Sequence, residues 1–267
     1  MKRSIFAIIC MGFLFTSCKN EEKKEALSAN ETELTAEVDQ EMETTSDLNI
    51  EPISHATAVI KWGDAVMYTD PVGGAEVFEG KDAPNFILIT DIHGDHMDAK
   101  TLEALELGDT KIIVPQAVKD QLPKEMASNL LVMNNGDTKE MMGFSIKAVP
   151  MYNLPEAKDA MHTKGRGNGY VIEKDGQRLY ISGDTEDIPE MRELKNIDVA
   201  LVCMNLPYTM TVEDAADGVL AFAPKQVYPY HYRGKDGLSD VSKFKELVNK
   251  GNKEIKVVQL NWYPEMK

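Results

Sequence analysis

A short apolar run, Phe86 to Thr90, opens with no linker onto Asp91-Ile92-His93-Gly94-Asp95-His96. A continuous apolar segment of this length reads as a strand buried on both faces, which places four ionisable side chains at the carboxyl end of a central strand. The pattern recurs downstream. Gln226 to Tyr230 is a second such strand, and His231 follows it directly. Arg178 to Ser182 is a third, followed by Asp184 through Gly183, whose missing side chain lets the backbone turn tightly. Sheets of α/β proteins bind their ligands beyond the carboxyl ends of their strands. His162 lies in a loop before Gly167-Asn168-Gly169 and can reach the same rim. Four of the chain's five histidines thus fall at a strand end or in a glycine-rich loop.

The rest of the chain from Ile53 onward supplies the frame. Ala58 to Trp62 leads through Gly63-Asp64 into Ala65 to Tyr68, a two-residue hairpin signature. Asp98 can cap a helix whose apolar face carries Leu102 and Leu105 and which ends near Gly108. Lys111 to Val114 is the next buried strand, and Gln116 to Leu122 a short helix stopped before Pro123. The second half repeats this grammar. Strands are predicted over Phe144 to Val149, Gly169 to Glu173, Ile197 to Cys203 and Ile255 to Leu260. Helices are predicted around Glu190 to Leu194, from Thr211 to about Ala223, and over Val241 to Asn249. Hairpins first and strand–helix alternation later point to an α/β layered domain with two packed sheets.

Chemically, the strand-end residues form a coherent set. Neutral imidazoles and carboxylates suit Zn, Mn or Fe ions, and a carboxylate can bridge two of them. Two ions about 3.5–4 Å apart would hold a bridging water and bring its pKa toward neutrality, generating hydroxide for attack on a carbonyl or phosphorus centre. Any one of these residues alone reads as a polar turn, and Asp95-His96-Met97-Asp98 alone as the acidic start of a helix. Spacing and strand context together favour a metal centre.

Thr90-Asp91-Ile92-His93-Gly94-Asp95-His96 resembles the Thr-His-X-His-X-Asp-His signature of the metallo-β-lactamase superfamily, with Asp91 in place of the first histidine. Gly183-Asp184-Thr185 is similar to that superfamily's Gly-Asp-Thr segment, and Tyr228-Pro229-Tyr230-His231 to its final histidine strand. Ser54-His55-Ala56 and Tyr68-Thr69-Asp70-Pro71 further resemble the ascorbate-6-phosphate-lactonase-like branch. The resemblance spans roughly residues 50–263. It implies a four-layer αββα sandwich, two mixed β-sheets flanked by helices. By position, it implies one divalent ion on Asp91, His93 and His162 and another on Asp95, His96 and His231, with Asp184 bridging. Asp95 and Asp184 would position the attacking hydroxide. Two histidines and a carboxylate at the first site make it harder than three histidines and more tolerant of Mn or Fe; alternatively Asp91 points away and that site is weak.

Other residues are candidates for support. His55 is expected as a hydrogen-bonded neighbour of the centre, with proton donation as a second role. Asp70 can orient a ligand histidine or merely cap a turn. Lys164 and Arg166 follow His162 and can hold an anionic substrate group, or form a solvated basic pair. Asn205 and Tyr208 follow the strand ending at Cys203 and are placed to line the pocket. Cys203 reads as a small buried apolar residue.

The amino terminus is of another kind. Lys2 and Arg3 precede an apolar stretch, Ile5 to Phe15, too short to span a bilayer comfortably. It ends in Leu14-Phe15-Thr16-Ser17-Cys18, which resembles a bacterial lipobox. Residues 1–17 are therefore expected to be a lipoprotein signal peptide and Cys18 the acylated residue, with an ordinary secretory signal as the alternative. The segment from Lys19 to about Leu48 holds ten acidic and three basic residues, seven of the chain's net charge of −15, with few large apolar side chains. Such a composition cannot offset the entropy of ordering, so residues 18–50 are expected to be a disordered acidic tether and residues 51–267 the folded domain. The cluster Lys19-Asn20-Glu21-Glu22 resembles surface-export signals of Bacteroidetes lipoproteins. The expected location is the cell envelope, anchored to the outer membrane of a Gram-negative bacterium and facing periplasm or surface.

No basic stripe suited to phosphate backbones is present, which argues against nucleic acid as a partner. With the signal removed, only Cys18 and Cys203 remain, which leaves no internal disulfide. The leading expectation is a metal-dependent hydrolase acting on a small ester, lactone, amide or phosphodiester. The alternatives are a non-catalytic metal- or ligand-binding surface lipoprotein and a structural envelope protein, the last of which leaves the ligand set unexplained.

Overall fold

A computed structural model of the chain describes residues 47–264. The signal peptide, Cys18 and nearly all of the acidic segment lie outside the described residues. The first strand, β1 (Leu48–Ser54), already begins within the segment expected to be disordered, pairing antiparallel to β2 (Thr57–Trp62). The hairpin partner of β2 is β3 (Ala65–Thr69). Then follow β4 (Phe86–Leu88), α1 (Ala99–Ala104), β5 (Lys111–Val114), α2 (Gln116–Lys119) and β6 (Leu130–Val132). The first sheet runs in the order β1-β2-β3-β4-β5-β6, antiparallel up to β3 and parallel from β3 to β6.

The second half contributes β7 (Thr138–Met141), β8 (Phe144–Met151), β9 (Gly167–Lys174), β10 (Gln177–Ile181), α3 (Pro189–Arg192) and β11 (Val199–Cys203). It continues with α4 (Val212–Phe222), β12 (Gln226–Tyr230), the short pair β13 (Arg233–Gly234) and β14 (Gly237–Leu238), α5 (Val241–Gly251) and β15 (Lys256–Val257). Its sheet runs β15-β12-β11-β10-β9-β8-β7, again antiparallel at the start and parallel from β10 onward. Each half is thus an antiparallel meander that becomes a parallel, helix-covered sheet.

Side-chain alternation assigns the layers. Phe86 and Leu88 of β4 join a core that includes Phe144, Ile146, Tyr170 and Ile172 of the second sheet. Ile87 and Ile89 turn the other way, into a cluster with Leu102 of α1 and Val118 of α2. The far face of the second sheet is covered by α3, α4 and α5 through Met191, Ala215, Val219, Phe244 and Val248. The result is the four-layer αββα sandwich, with β4 buried on both faces as its apolar run requires.

Caps explain the longer helices. Asp98 accepts from Lys100 N at 3.1 Å, Thr211 from Asp214 N at 3.0 Å, and Asp240 from Lys243 N at 2.9 Å. Two expected elements end early. α1 stops at Ala104 because Glu106 turns left-handed at φ 50, short of Gly108. β15 stops at Val257, after which the chain leaves the sheet and buries Trp262 against the Tyr230 ring at 5.5 Å.

Candidate metal centre

The segment after β4 curls into a helical-type turn, closed by His96 N and Met97 N on His93 O, both at 2.9 Å. Four side chains of the chain's first half are thereby gathered at the end of one strand. Ser182-Gly183-Asp184 does the same at the end of β10, where Gly183 takes φ 62. His231 ends β12 with φ 44, and Asp70 ends β3 with φ 45. A left-handed backbone is uncommon outside glycine, and here it recurs at the rim where the ionisable groups converge.

Seven residues expected as ligands come together. His93 Nδ1 lies 2.6 Å from Asp91 Oδ2, and His162 Nε2 lies 3.9 Å from the same oxygen. Asp184 sits between the two groups. Its Oδ2 is 3.2 Å from His162 Nε2 and 3.3 Å from His96 Nε2, while Oδ1 is 3.3 Å from His231 Nε2. Asp95 Oδ2 lies 3.3 Å from His231 Nε2, and the two imidazole nitrogens of His96 and His231 face each other at 3.1 Å. Asp91, His93 and His162 form one triad able to hold a cation, and His96, Asp184 and His231 another. His55, Asp95 and His231 form a third that the sequence does not foretell.

The donor chemistry fits a divalent cation. Asp184 is 3% exposed, and its Oδ1, like both ring nitrogens of His162, is buried without an aligned hydrogen bond. Such orphans are rare in folded proteins and call for an ion or water between them. The 3.1 Å approach of two imidazole nitrogens likewise requires a proton or a cation. The electrostatics carry the same demand. Burial disfavours the imidazolium of His96, yet Asp184 and Asp70 outweigh it and raise the pKa well above the ordinary value. His231 is raised against its burial too, chiefly by Asp184. Burial likewise opposes ionisation of Asp184, but His231 and His96 hold its carboxyl well below the usual range. Asp95 is lowered against burial by His231 and His96. A cage of carboxylates this strong draws in positive charge, whether protons or metal.

Asp70 is fully buried and orients His96. Its Oδ2 lies 2.8 Å from His96 Nδ1, while Oδ1 accepts from Thr90 N at 2.7 Å and Oδ2 from Thr90 Oγ1 at 2.6 Å. The Nε2 of His96 is thereby aimed at the centre. Asn205 approaches His231 Nε2 at 3.5 Å through Nδ2. His55 passes its backbone carbonyl to His231 N at 3.2 Å, and its Nδ1 contacts Tyr263 Oη at 3.3 Å. Burial, then His231 and Arg233, push the His55 imidazole down to about 4, so it is neutral near pH 7.

A pocket of about 290 Å³ opens over the centre. His93, Asp95, His162 and Asp184 line it from the cage, and His55, Asn205, Tyr208 and Arg233 line it from the rim. Lys164 and Arg166 do not line it. Lys164 pairs with Glu156 at 3.1 Å and Glu190 at 3.0 Å, and Arg166 with Asp91 at 3.1 Å, so the expected anion-holding pair faces carboxylates of the protein itself. Arg233, two residues after His231, lines the same rim and lies over the Tyr263 ring at 5.7 Å. Its position after a strand-end histidine was the only sequence signal for it. Cys203 is fully buried, and burial pushes its thiol up to about 12.

Residues 49–231 match the family model of the β-lactamase superfamily domain. A metal-dependent hydrolase of the UPF0173 group from Pyrococcus abyssi is 32% identical over 192 residues, which cover 69% of this chain and 83% of that protein. A crystal structure from Parabacteroides distasonis, of a protein assigned as a metal-dependent hydrolase, is 38% identical. It superposes with a TM-score of 0.70 over 79% of this chain and 92% of that one. The metallo hydrolase Igni18 of Ignicoccus hospitalis, 23% identical, shares the fold with a TM-score of 0.68 over 80% of this chain and 95% of its own. The chain therefore belongs to the metallo-β-lactamase superfamily, alongside relatives named as metal-dependent hydrolases.

Proposed function

We propose that this protein is a metal-dependent hydrolase of small molecules, with two divalent ions, Zn or Mn (Fe as a further choice), held by Asp91, His93 and His162 and by Asp95, His96 and His231, and with Asp184 shared between them. The observation that carries this is the placement of Asp184, whose two oxygens face His162, His96 and His231 from a buried position at 3.2–3.3 Å. Bound there, the ions would supply Lewis acidity and activate water as a nucleophile at neutral pH.

The chain's own side chains then divide the remaining work. Asp95, kept ionised beside His231 and 41% exposed toward the pocket, can orient the attacking water and accept its proton on a carboxylate oxygen. His55, neutral near pH 7 and grouped with Asp95 on the pocket rim, can take up on its imidazole the proton that Asp95 accepts from the water and pass it to the leaving group, which returns both side chains to their starting state. Esters, lactones, amides and phosphodiesters form the substrate class, with lactones singled out by the resemblance of Ser54-His55-Ala56 and Thr69-Asp70-Pro71 to the lactonase-like branch. A pocket of about 290 Å³ suits a small molecule and not a polymer.

The test is a hydrolysis panel of these four classes on protein loaded with Zn or Mn, beside the Asp184→Asn variant. The expected outcome is activity in one class, lost at least about 1,000-fold in Asp184→Asn with circular dichroism unchanged. Fewer than one ion bound per chain, with no turnover across the panel, would leave a non-catalytic binding protein.

For the cell, we propose acylation at Cys18 and an outer-membrane anchor, supported by the lipobox-like Leu14-Phe15-Thr16-Ser17-Cys18 and the acidic segment after it. Cys18→Ala should move the protein from the membrane fraction to the soluble fraction. Membrane retention of that variant would refute the anchor.

A further inference from the structure

Asp91 is the residue at which this chain departs from its superfamily's histidine, and its carboxylate is fully buried. A buried charge persists only when it is paired and hydrogen-bonded. Its counter-ion is Arg166. Oδ1 accepts from Arg166 Nε at 3.3 Å and Nη2 at 3.2 Å, and Oδ2 accepts from Nη2 at 3.1 Å. Arg166 and His162 lie in the same loop between β8 and β9, four residues apart, so one segment delivers a ligand and the charge that opposes it. The exchange of histidine for aspartate adds one negative charge to the centre, and the guanidinium cancels it. Asp91 also meets the His93 imidazole at 2.6 Å, but Asp184 and Asp95 face imidazoles without a guanidinium among them, and imidazoles give up their protons to a metal where a guanidinium cannot.

We propose that Arg166 is a positioning residue that makes the two metal positions unequal: His96, Asp184 and His231 fill first, and Asp91, His93 and His162 bind second and more weakly, because a cation there must share the Asp91 carboxylate with the guanidinium. This rests on the two-ion reading above. The physical cause is Coulombic. A fixed positive charge on the carboxylate both repels the incoming ion and occupies its donor atoms. The consequence is an enzyme whose second ion is exchangeable and whose occupancy follows the metal supply of its compartment.

Stepwise titration of the metal-free full-length protein with Zn and with Mn, followed by calorimetry and by metal analysis at graded free-ion concentration, reads this directly. The wild type should show two steps separated by at least about tenfold. Arg166→Gln should tighten the weak step about tenfold and leave the strong one within about threefold. Arg166→Lys, which keeps the charge and loses the fork, should retain most of the separation. Asp91→Asn should lose the weak step only, and it decides the matter should Arg166→Gln fail to melt cooperatively. Two equal steps in the wild type, a weaker second step in a cooperatively folded Arg166→Gln, or loss of the strong step in Asp91→Asn would overturn the inequality while leaving the hydrolase reading intact. A chain that binds no ion would overturn both.

Discussion

Asp70 offers no atom to the pocket, yet the aim of His96 depends on it. The carboxylate takes Thr90 N, Thr90 Oγ1 and the His96 ring from a fully buried position. Burial raises its own pKa, and His96 and Thr90 work in the other direction. Such outer partners of ligand histidines typically contribute about 10–100-fold in metal affinity or activity. Asp70→Asn keeps the shape and one acceptor, so the expected result is a folded protein with metal affinity reduced by about 10–100-fold, read by the same titrations. Asp70→Ala also strands Thr90 N and leaves His96 Nδ1 with Thr90 Oγ1 alone, at 2.9 Å, and should cost about 1–3 kcal/mol for the buried N–H left unpaired, read by urea unfolding. Unchanged affinity in Asp70→Asn would mean that packing and Thr90 Oγ1 suffice to hold His96.

The strand ends carry the site, and one glycine shows how narrowly. Gly183 turns the chain out of β10 at φ 62, and a Cβ there would meet Met151 Sδ at 2.6 Å and Thr90 Cβ at 3.3 Å. Gly183→Ala therefore combines left-handed strain with a collision against the Met151 side chain of β8 and close approaches to Asn168 O and Thr90, and should destabilise the fold by about 1–3 kcal/mol. Because Asp184 is the next residue, activity should fall by more than its share of unfolded protein, a separation visible by comparing kcat with the melting curve at one temperature. These ends were legible in the sequence because β4, β10 and β12 are apolar runs with ionisable residues directly beyond them. Elements without that contrast were not. β7 (Thr138–Met141) is almost wholly exposed and polar, and β6 (Leu130–Val132) is three residues long, so neither leaves a period to detect. β1 begins two residues before the acidic segment's expected end because Ile50 joins the core although its neighbours stay half-exposed. Within the site, the partner of Arg166 lies 75 residues away, a pairing that no local spacing reveals. Without it, a basic residue beside a ligand histidine reads as a substrate anchor.

At the level of the whole molecule, the centre is a seam between the two sheets. Asp91, His93, Asp95 and His96 follow β4 of the first sheet, whereas His162, Asp184 and His231 adjoin β9, β10 and β12 of the second. Other polar links across this rim include Asn168 N to Thr90 O at 2.9 Å and Tyr170 Oη to Ile89 O at 2.8 Å. The apolar core holds the sheets face to face, and Arg166 meets the charge of Asp91, but along the rim the like charges of Asp95 and Asp184 push against each other unless protons or cations lie between them. Ions bound there act on the folded chain alone, because unfolding scatters ligands drawn from both halves of the sequence. At a hundredfold excess over Kd, one such ion adds about 2.7 kcal/mol. In a domain of this size that corresponds to a melting point roughly 5–10 °C higher. Treatment with EDTA should therefore lower the melting temperature by at least that much, and readdition of Zn or Mn should restore it. Asp184→Asn, which removes the carboxylate facing both groups, should flatten this response. Calcium, which prefers more oxygen donors than this imidazole-rich cage offers, should restore little. An identical melting point with and without chelator would mean that the sheets need no cation at their seam. The carboxylates would then be neutralised by Arg166 and by protons on His96 and His231.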